Sequence, residues 1–267
     1  MANNWAIVVG INHYDFLPNA SLKFAAADAL AMRKFLCEEA GFEFDKVLLC
    51  GDGEAGSHKA TMPILRDILL NKLQYAQNAD NLWFFFSGHG LAEDQQDYLL
   101  TIDCLPSALK ATAISTHFVA DQLRACKAKN IVLILDMCRT ENRDFERKNV
   151  ELQRERQQGM ITMHSCDRGQ SSYEISAFKQ GAFTHALLEG LRTTTTLRDL
   201  AMYLELRVPE LHKSVGKADR EKIVPPAVTL LRSKLSLVPL PKTIFALVLQ
   251  AKTFVLLLSQ GFAVFVL

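Results

Sequence analysis

Short apolar runs alternate along the chain with longer segments whose apolar positions follow a helical period. Short continuous apolar runs are typical of strands buried on both faces. The strands predicted in this way span residues 5–11, 46–50, 81–87, 98–102, 130–135, 160–164 and 227–231. The predicted helices span residues 22–40, 62–76, 115–127, 182–192 and 197–213. This alternation predicts an α/β fold, with a mostly parallel sheet covered by helices on both faces.

The first predicted helix has a clear amphipathic pattern. Leu22, Ala26, Leu30 and Phe35 recur along one face, as expected for a helix that packs on a sheet. Gly41 follows the last periodic residue, and glycine is preferred just past a helix end. We therefore expect these four side chains to face the core.

Residues 139–159 break the alternation. This segment, RTENRDFERKNVELQRERQQG, is highly charged and has almost no apolar periodicity. Such a composition predicts an exposed, mobile loop or a frayed helix between the strands at 130–135 and 160–164. We expect a main domain over residues 1–235 that contains this loop, followed by a separate tail over residues 236–267.

The tail contains an almost continuous apolar stretch, residues 243–267, interrupted by Gln250, Lys252, Ser259 and Gln260. A membrane-spanning helix needs ~20 apolar residues. A lysine near the centre costs about 2.5–3.5 kcal/mol on insertion scales. The stretch favours a membrane anchor. A buried helix or strand pair, and a non-native tail from a truncated or frame-shifted reading frame, are the alternatives.

Composition narrows the function classes. The chain has 267 residues, a formal net charge of +1 and 49% hydrophobic residues, so no overall field favours nucleic acid as a partner. Its six cysteines show no CxxC spacing. The opening MANNWAIVVG lacks a basic leader with a long apolar stretch, so we expect free thiols in a reducing cytoplasm. No GxGxxG or P-loop motif is present, which disfavours a nucleotide-binding domain.

Two neighbouring strand ends carry reactive side chains. The strand at 81–87 is followed by Gly88-His89-Gly90, and the strand at 130–135 by Asp136-Met137-Cys138. Ligands of open parallel sheets bind beyond the carboxyl ends of the strands. A histidine near a cysteine can take its proton and generate the nucleophilic thiolate. The backbone N–H groups of Gly90 and Cys138 are then candidate donors to the oxyanion.

Each of these residues has a simpler interpretation when it is taken alone. A cysteine after a buried strand is usually a packing residue. A histidine between glycines is often only a turn residue. Together, 49 residues apart after two apolar strands, His89 and Cys138 favour a nucleophile and its base.

At these residues the sequence resembles the caspase superfamily, and within it the metacaspase and orthocaspase branch. The resemblance covers residues 5–231, and the known caspase spacing of histidine and cysteine is similar. It is carried by WAIVVGINHYD, AAADALAMRKFL, FFFSGHG, DYLLTIDC, LILDMCR and GAFTHALLEGL. The resemblance implies a caspase-like three-layer sandwich with a six-stranded sheet. It also implies a cysteine endopeptidase with a His89–Cys138 dyad.

The resemblance further implies a substrate class. Metacaspases and orthocaspases cleave after Arg or Lys, so the expected partner is a protein or peptide with a basic residue before the cut. Asp28 and Asp136 match the acids of the family's pocket, and Glu174 is a third candidate. Unlike typical metacaspases, this chain has Met137 before the cysteine and Arg139-Thr140 after it. That departure leaves the substrate preference less well defined than the dyad.

Three further expectations concern processing, cofactor and activity. The segment 139–159 lies where family members carry a cleavable linker, and it contains Arg143, Arg147, Lys148, Arg154 and Arg156 as candidate cut sites. Many metacaspases need calcium, which makes calcium a candidate cofactor, although no EF-hand loop is present and no protein metal site is predicted. The competing function is a catalytically silent caspase-like module used for binding or scaffolding.

Overall fold

The apolar runs form a six-stranded parallel sheet in the computed structural model, which describes residues 2–53, 57–94, 96–138, 160–166 and 173–214. The strands are β1 (Asn4–Gly10), β2 (Val47–Gly51), β3 (His58–Lys59), β4 (Asn81–Gly88), β5 (Gly90–Glu93), β6 (Gln96–Leu99), β7 (Ile114–Ser115), β8 (Asn130–Met137), β9 (Met160–His164), β10 (Glu174–Ile175) and β11 (Gln180–Gly181). The helices are α1 (Ala25–Glu38), α2 (Met62–Asp67), α3 (Leu109–Thr112), α4 (Thr116–Ala125), α5 (Ala182–Thr193) and α6 (Leu197–Ser214).

The sheet has the order β3-β2-β1-β4-β8-β9, and all of its pairs are parallel. From β1 the chain first adds β2 and β3 on one side of β1, and it then adds β4, β8 and β9 on the other side of β1. This reversal of direction opens a crevice at the carboxyl ends of β1 and β4, where open α/β sheets bind ligands. The loops after β1, β4 and β8 therefore meet at one edge of the sheet.

Two apolar layers cover the sheet. One contains buried side chains of α1, α5 and α6, and the other contains those of α2 and α4. Because the strands are covered on both faces, their runs are apolar throughout; every residue of β4 is buried. The predicted α/β three-layer architecture with a six-stranded sheet is confirmed.

Several elements differ from the sequence prediction. The sixth strand of the sheet is β3, a two-residue edge strand, whereas residues 227–231 lie outside the described residues. The strand predicted at 98–102 is β6, which joins the separate antiparallel sheet β5-β6-β7. The helix predicted over 62–76 ends as α2 at Asp67 and continues as a π turn and a 3₁₀ turn.

The prediction for Leu30 in α1 is wrong, since its side chain is 44% exposed. The buried stripe of α1 runs through Ala29, Met32 and Leu36 together with Phe35. Each residue advances about 100° around an α-helix, so Leu30 lies one step beyond Ala29 and leaves the sheet. Counting three- and four-residue steps from Ala25 identifies the correct face.

The charged segment 139–159 and the apolar stretch 243–267 both lie outside the described residues. The expectations of an exposed loop and of a membrane anchor therefore stay predictions. Among the helices that the structure describes, none combines the length and the hydropathy needed to cross a membrane.

Candidate active site

His89 and Cys138, the residues of the predicted dyad, line one cleft. Ser87 pairs with Asp136 and Gly88 with Met137 in the β4–β8 ladder, so the next residues of the two strand ends are His89 and Cys138. Both line a cleft whose empty volume, including its open mouth, is ≈ 320 Å³. Cys138 is half-buried, and none of the six cysteines forms a disulfide. The structure thus places the thiol and the imidazole in the same open cleft.

One contact sets the tautomer of His89. Its Nε2 lies within hydrogen-bond distance of the backbone carbonyl of Ala20, in the loop between β1 and α1. A carbonyl can only accept, so Nε2 carries the hydrogen and donates it. The neutral imidazole then has its lone pair on Nδ1. Nδ1 is consequently the nitrogen that can accept a proton.

The backbone at Gly90 is oriented by the small antiparallel sheet. Leu100 N donates to His89 O at 3.1 Å, and Gly90 pairs with Leu99. In this register Gly90 and Leu99 form a non-hydrogen-bonded pair, so the Gly90 N–H points away from β6. A Cβ at Gly90 would lie 2.6 Å from Cys138 O, which shows how closely the two backbones approach.

The end of β8 is fixed by β9. Met137 N donates to Ser165 Oγ at 3.1 Å, and Ser165 Oγ donates to Met137 O at 3.3 Å. Cys166 Sγ donates to the same carbonyl at 3.2 Å. These bonds continue the β8–β9 pairing past His164. They hold the residue that immediately precedes Cys138.

Asp28 and Asp136 form an acidic floor in the cleft. Their residues are 1% and 5% exposed. Asp28 accepts hydrogen bonds from Gly181 N at 3.0 Å and from Ser87 Oγ at 3.0 Å. Asp136 accepts from Thr184 Oγ1 at 2.6 Å and from Thr184 N at 3.2 Å. Both acids thus reach the cleft, Asp28 from α1 and Asp136 from β8, and their contact with substrate stays a prediction.

The carboxylates of Asp28 and Asp136 both lie close to the backbone of Gly181. A Cβ there would lie 2.8 Å from Asp136 Oδ2 and 2.9 Å from Asp28 Oδ2. Only glycine leaves this space free, because real Cβ atoms do not approach other atoms so closely. The glycine also lets its N–H approach Asp28. The β10–β11 hairpin therefore completes the acidic floor.

The environment opposes the ionisation of Asp28. Burial raises the pKa of its carboxyl well above the ordinary range, and the neighbouring Asp136 carboxylate raises it further. The hydrogen bonds from Gly181 and Ser87 act in the opposite direction. No lysine or arginine of the described residues lines the cleft. A cationic side chain entering from outside would therefore favour the ionised form of Asp28.

Glu174 reaches the cleft wall, but its carboxylate is already engaged by the backbone. Oε1 accepts from Lys23 N at 2.8 Å and from Phe24 N at 2.6 Å. Phe24 is the N-cap of α1 and has no capping side chain of its own. Glu174 thus caps α1 from β10, where a carboxylate is favourable. Its proposed contact with substrate stays a prediction.

Sequence reasoning missed several groups that shape the site. These are the carbonyl of Ala20, the hydroxyls of Tyr14, Ser87 and Ser165, and Gly181 with Thr184. Ser87 carried a visible signal, since it is a polar residue at the end of the apolar run NLWFFF. The others depend on contacts between distant segments. Within the described ranges, no group of three or more His, Cys, Asp or Glu is arranged to hold a metal ion.

A parallel sheet with helices on both faces, and with a histidine and a cysteine after neighbouring strands, defines the caspase-like class. The family model of the caspase domain, peptidase C14, matches residues 3–234. The chain belongs to this family.

Two curated relatives match parts of the chain. A "Probable protease" of a Desulfuromonadales bacterium is 26% identical over 215 residues, which cover 72% of this chain and 26% of the relative. Metacaspase-6 of Arabidopsis thaliana is 32% identical over 85 residues, which cover 32% of this chain and 23% of the relative. The chain thus spans about a quarter of the length of these relatives.

Two solved structures share the fold. Caspase-1 of Spodoptera frugiperda has a TM-score of 0.55 at 17% identity, covering 79% of this chain and 77% of its own. A protein of Geobacter sulfurreducens has a TM-score of 0.57 at 16% identity, covering 87% and 96%. These similarities show the architecture of the sheet and its covering helices.

Proposed function

We propose that this chain is a cysteine endopeptidase that cleaves after Arg or Lys, with Cys138 as nucleophile and His89 as general base and acid. One observation carries the proposal. A single cleft holds the thiol, an imidazole whose Nε2 is bonded to the carbonyl of Ala20, and two buried carboxylates on its floor. Membership in the caspase-domain family supports the same chemistry.

The reaction begins with transfer of the Cys138 proton to Nδ1 of His89. The resulting thiolate attacks the carbonyl carbon of the scissile bond. His89 then gives this proton to the departing amine nitrogen, which leaves a thioester on Cys138. Water attacks the thioester while His89 accepts one of its protons, and the proton returns to the sulfur as the acid product leaves.

The negative charge that develops on the carbonyl oxygen needs hydrogen-bond donors. The N–H of Gly90 is turned away from β6 by its register with Leu99. The N–H of Cys138 follows the segment that Ser165 holds in place. Both groups are backbone donors with little freedom to reorganise, as oxyanion stabilisation requires.

The acidic floor gives the proposed preference for a basic residue. Asp28 and Asp136 approach the space beside Gly181 from α1 and β8. A guanidinium or ammonium group that enters this space would pair with carboxylates in a desolvated site. Arg could also bind two carboxylate oxygens at once. An acidic side chain would be repelled.

Peptide substrates that differ only in the residue before the cut test this function. We expect kcat/KM for an Arg peptide to exceed that for its Asp counterpart by at least about 10³-fold. The citrulline peptide should fall by about 10²-fold, since one uncompensated buried charge costs on the order of 2–5 kcal/mol. Citrulline has nearly the shape of Arg without its charge. Fluorogenic tripeptides, assayed with and without calcium, provide the measurement.

The same assay distinguishes the peptidase from the competing function, a catalytically silent scaffold. Turnover of none of the peptides, in either calcium condition, would contradict the peptidase proposal and favour a silent scaffold. Equal turnover of the Arg and citrulline peptides would leave the peptidase in place but remove the role assigned to the acidic floor. A requirement for calcium would establish it as a cofactor.

We also propose that the enzyme cleaves itself within residues 139–159, whose basic residues match the preference proposed for the cleft. We expect mass spectrometry of the purified protein to give two fragments that meet after one of Arg143, Arg147, Lys148, Arg154 or Arg156. The Cys138→Ala variant should remain intact under the same conditions. Equal intactness, or equal cleavage, of the two proteins would contradict self-processing.

A further inference from the structure

The hydroxyl of Tyr14 lies against the histidine loop and has no part in the mechanism above. His89 N donates to Tyr14 Oη at 2.7 Å, and Tyr14 Oη donates to Ile11 O at 3.4 Å. The two rings also meet, with centroids 4.9 Å apart and planes tilted by 41°. Tyr14 is only 3% exposed, so its hydroxyl and ring occupy one defined position.

The Tyr14 hydroxyl completes a set of three anchors on His89. Leu100 N holds the carbonyl of His89, and the carbonyl of Ala20 holds its Nε2. Tyr14 holds the remaining backbone group, the N–H. With both ends of the residue and one ring nitrogen fixed, the direction in which Nδ1 points is set. Of these three anchors, Leu100 and Ala20 act through backbone groups and Tyr14 acts through its side chain.

Tyr14 and Ala20 belong to the same loop, which runs from the end of β1 to the start of α1. This loop is itself tied down: Asp15 N donates to Ile102 O at 2.9 Å, and Leu17 N donates to Tyr14 O at 3.2 Å. A single anchored segment therefore contacts both the backbone and the ring of His89. Any displacement of Tyr14 would be transmitted to the imidazole.

Gly88 shows how closely the hydroxyl fits. A Cβ on Gly88 would lie 2.7 Å from Tyr14 Oη and 2.9 Å from Phe86 Cζ. The hydroxyl thus fills the space that a side chain at position 88 would need. The glycine before the histidine permits close approach of a neighbouring group, and Tyr14 is one group that makes this approach.

We propose that Tyr14 is a positioning residue, whose hydroxyl holds His89 so that Nδ1 can take the proton of Cys138. The role rests on the proposed peptidase function, because it assigns a partner to the catalytic histidine. Burial raises the pKa of Tyr14, so the hydroxyl keeps its proton. It can then donate to Ile11 O while it accepts from His89 N.

The test compares Tyr14→Phe with a matched buried tyrosine variant, Tyr98→Phe. Tyr98 lies in β6 and is 8% exposed. With the Arg peptide, we expect Tyr14→Phe to lower kcat by about 10- to 100-fold, because small errors in the placement of a catalytic group are costly. KM should stay within about twofold, since the acidic floor is untouched. Tyr98→Phe should behave as the parent protein.

A second measurement does not need peptide turnover. Iodoacetamide reacts with the thiolate, and mass spectrometry of the tryptic peptide measures its reaction at Cys138 alone. At about pH 6.5, where an unassisted thiol is mostly protonated, the rate should fall several-fold in Tyr14→Phe. The alkylation rate of Tyr14→Phe should approach that of His89→Ala, in which Cys138 has no histidine to take its proton. Parent rates in Tyr14→Phe would overturn the proposal, as would an equal fall in Tyr98→Phe.

Gly88→Ala supplies an independent check, because its Cβ would displace the hydroxyl from His89. If the two residues act through one contact, the double variant with Tyr14→Phe should lose less activity than the product of the single losses, by about fivefold or more. If the loss of activity in the double variant equals the product of the two single losses, the two residues do not act through one contact. If the parent protein cleaves no peptide, the peptidase proposal fails, and the alkylation comparison still decides the role of Tyr14.

Discussion

We expect Cys138→Ala to lower kcat/KM for an Arg peptide by at least about 10⁴-fold, because alanine cannot form the covalent intermediate. His89→Ala should cost about 10³-fold, since a thiol without its base is mostly protonated at neutral pH. Steady-state kinetics of purified variants gives both values. The effect on KM should be small for either variant.

The control for this pair is Cys37→Ala. Cys37 is a half-buried free cysteine on α1, like Cys138 in exposure but outside the cleft. Its replacement should leave kcat/KM unchanged. The double variant of Cys138 and His89 should lose no more activity than Cys138→Ala, because the two residues act as a unit. Activity above about 1% of the parent in Cys138→Ala would refute the assignment of the nucleophile.

The second large effect concerns the acidic floor. We expect Asp28→Asn to lower kcat/KM for the Arg peptide by about 10²- to 10³-fold, since it removes one member of a buried charge pair with the substrate. The Arg-to-citrulline ratio should fall in parallel, because citrulline does not use the lost charge. Asp121→Asn, at an exposed acid on α4, is the matched control and should retain both values.

The same variant should be more stable than the parent at neutral pH. The pKa of Asp28 is raised in the folded protein, chiefly by burial, so the folded state binds its proton more tightly than the unfolded state. Stability therefore falls as the pH rises above the ordinary pKa of Asp, about 3.9, towards the raised value. Asn cannot ionise, and its variant escapes this loss.

Thermal unfolding against pH measures the effect, with Cys138→Ala as the background to prevent self-cleavage. The Tm of the Asp28→Asn protein should exceed that of its parent at pH 7, and the difference should shrink as the pH approaches about 4. A lower Tm at pH 7 would show that the ionised carboxylate stabilises the fold. Functional pockets commonly lower the stability of the fold, because they keep charged groups where they can bind a ligand.

The sequence predicted the fold, and it predicted that His89 and Cys138 follow neighbouring strands, for an identifiable reason. Apolar runs mark strands buried on both faces, and parallel strands bring their carboxyl ends to one edge. His89 and Cys138 follow two such runs, so their proximity required only that β4 and β8 be neighbours. Asp28 was predicted from the family resemblance, and it also carries a signal of its own, because it is a charged residue in the buried stripe of an amphipathic helix.

Contacts between distant segments were not predictable in the same way. The carbonyl of Ala20 and the hydroxyl of Tyr14 reach His89 only because the loop after β1 folds over the end of β4. Glu174 caps α1 although 150 residues separate it from Phe24. Hydropathy patterns specify which face of an element is buried, but not which polar group of a remote loop approaches it.

The pairing of β8 with β9 has a consequence for a chain that is cut between them. The two strands run side by side in the sheet, joined along five register positions from Ile131 to Leu135. Asp28 and Asp136 would belong to the first fragment, and Gly181 and Thr184 to the second. The nicked protein would thus be a non-covalent two-chain complex, in which the proposed recognition of a basic side chain would depend on both chains.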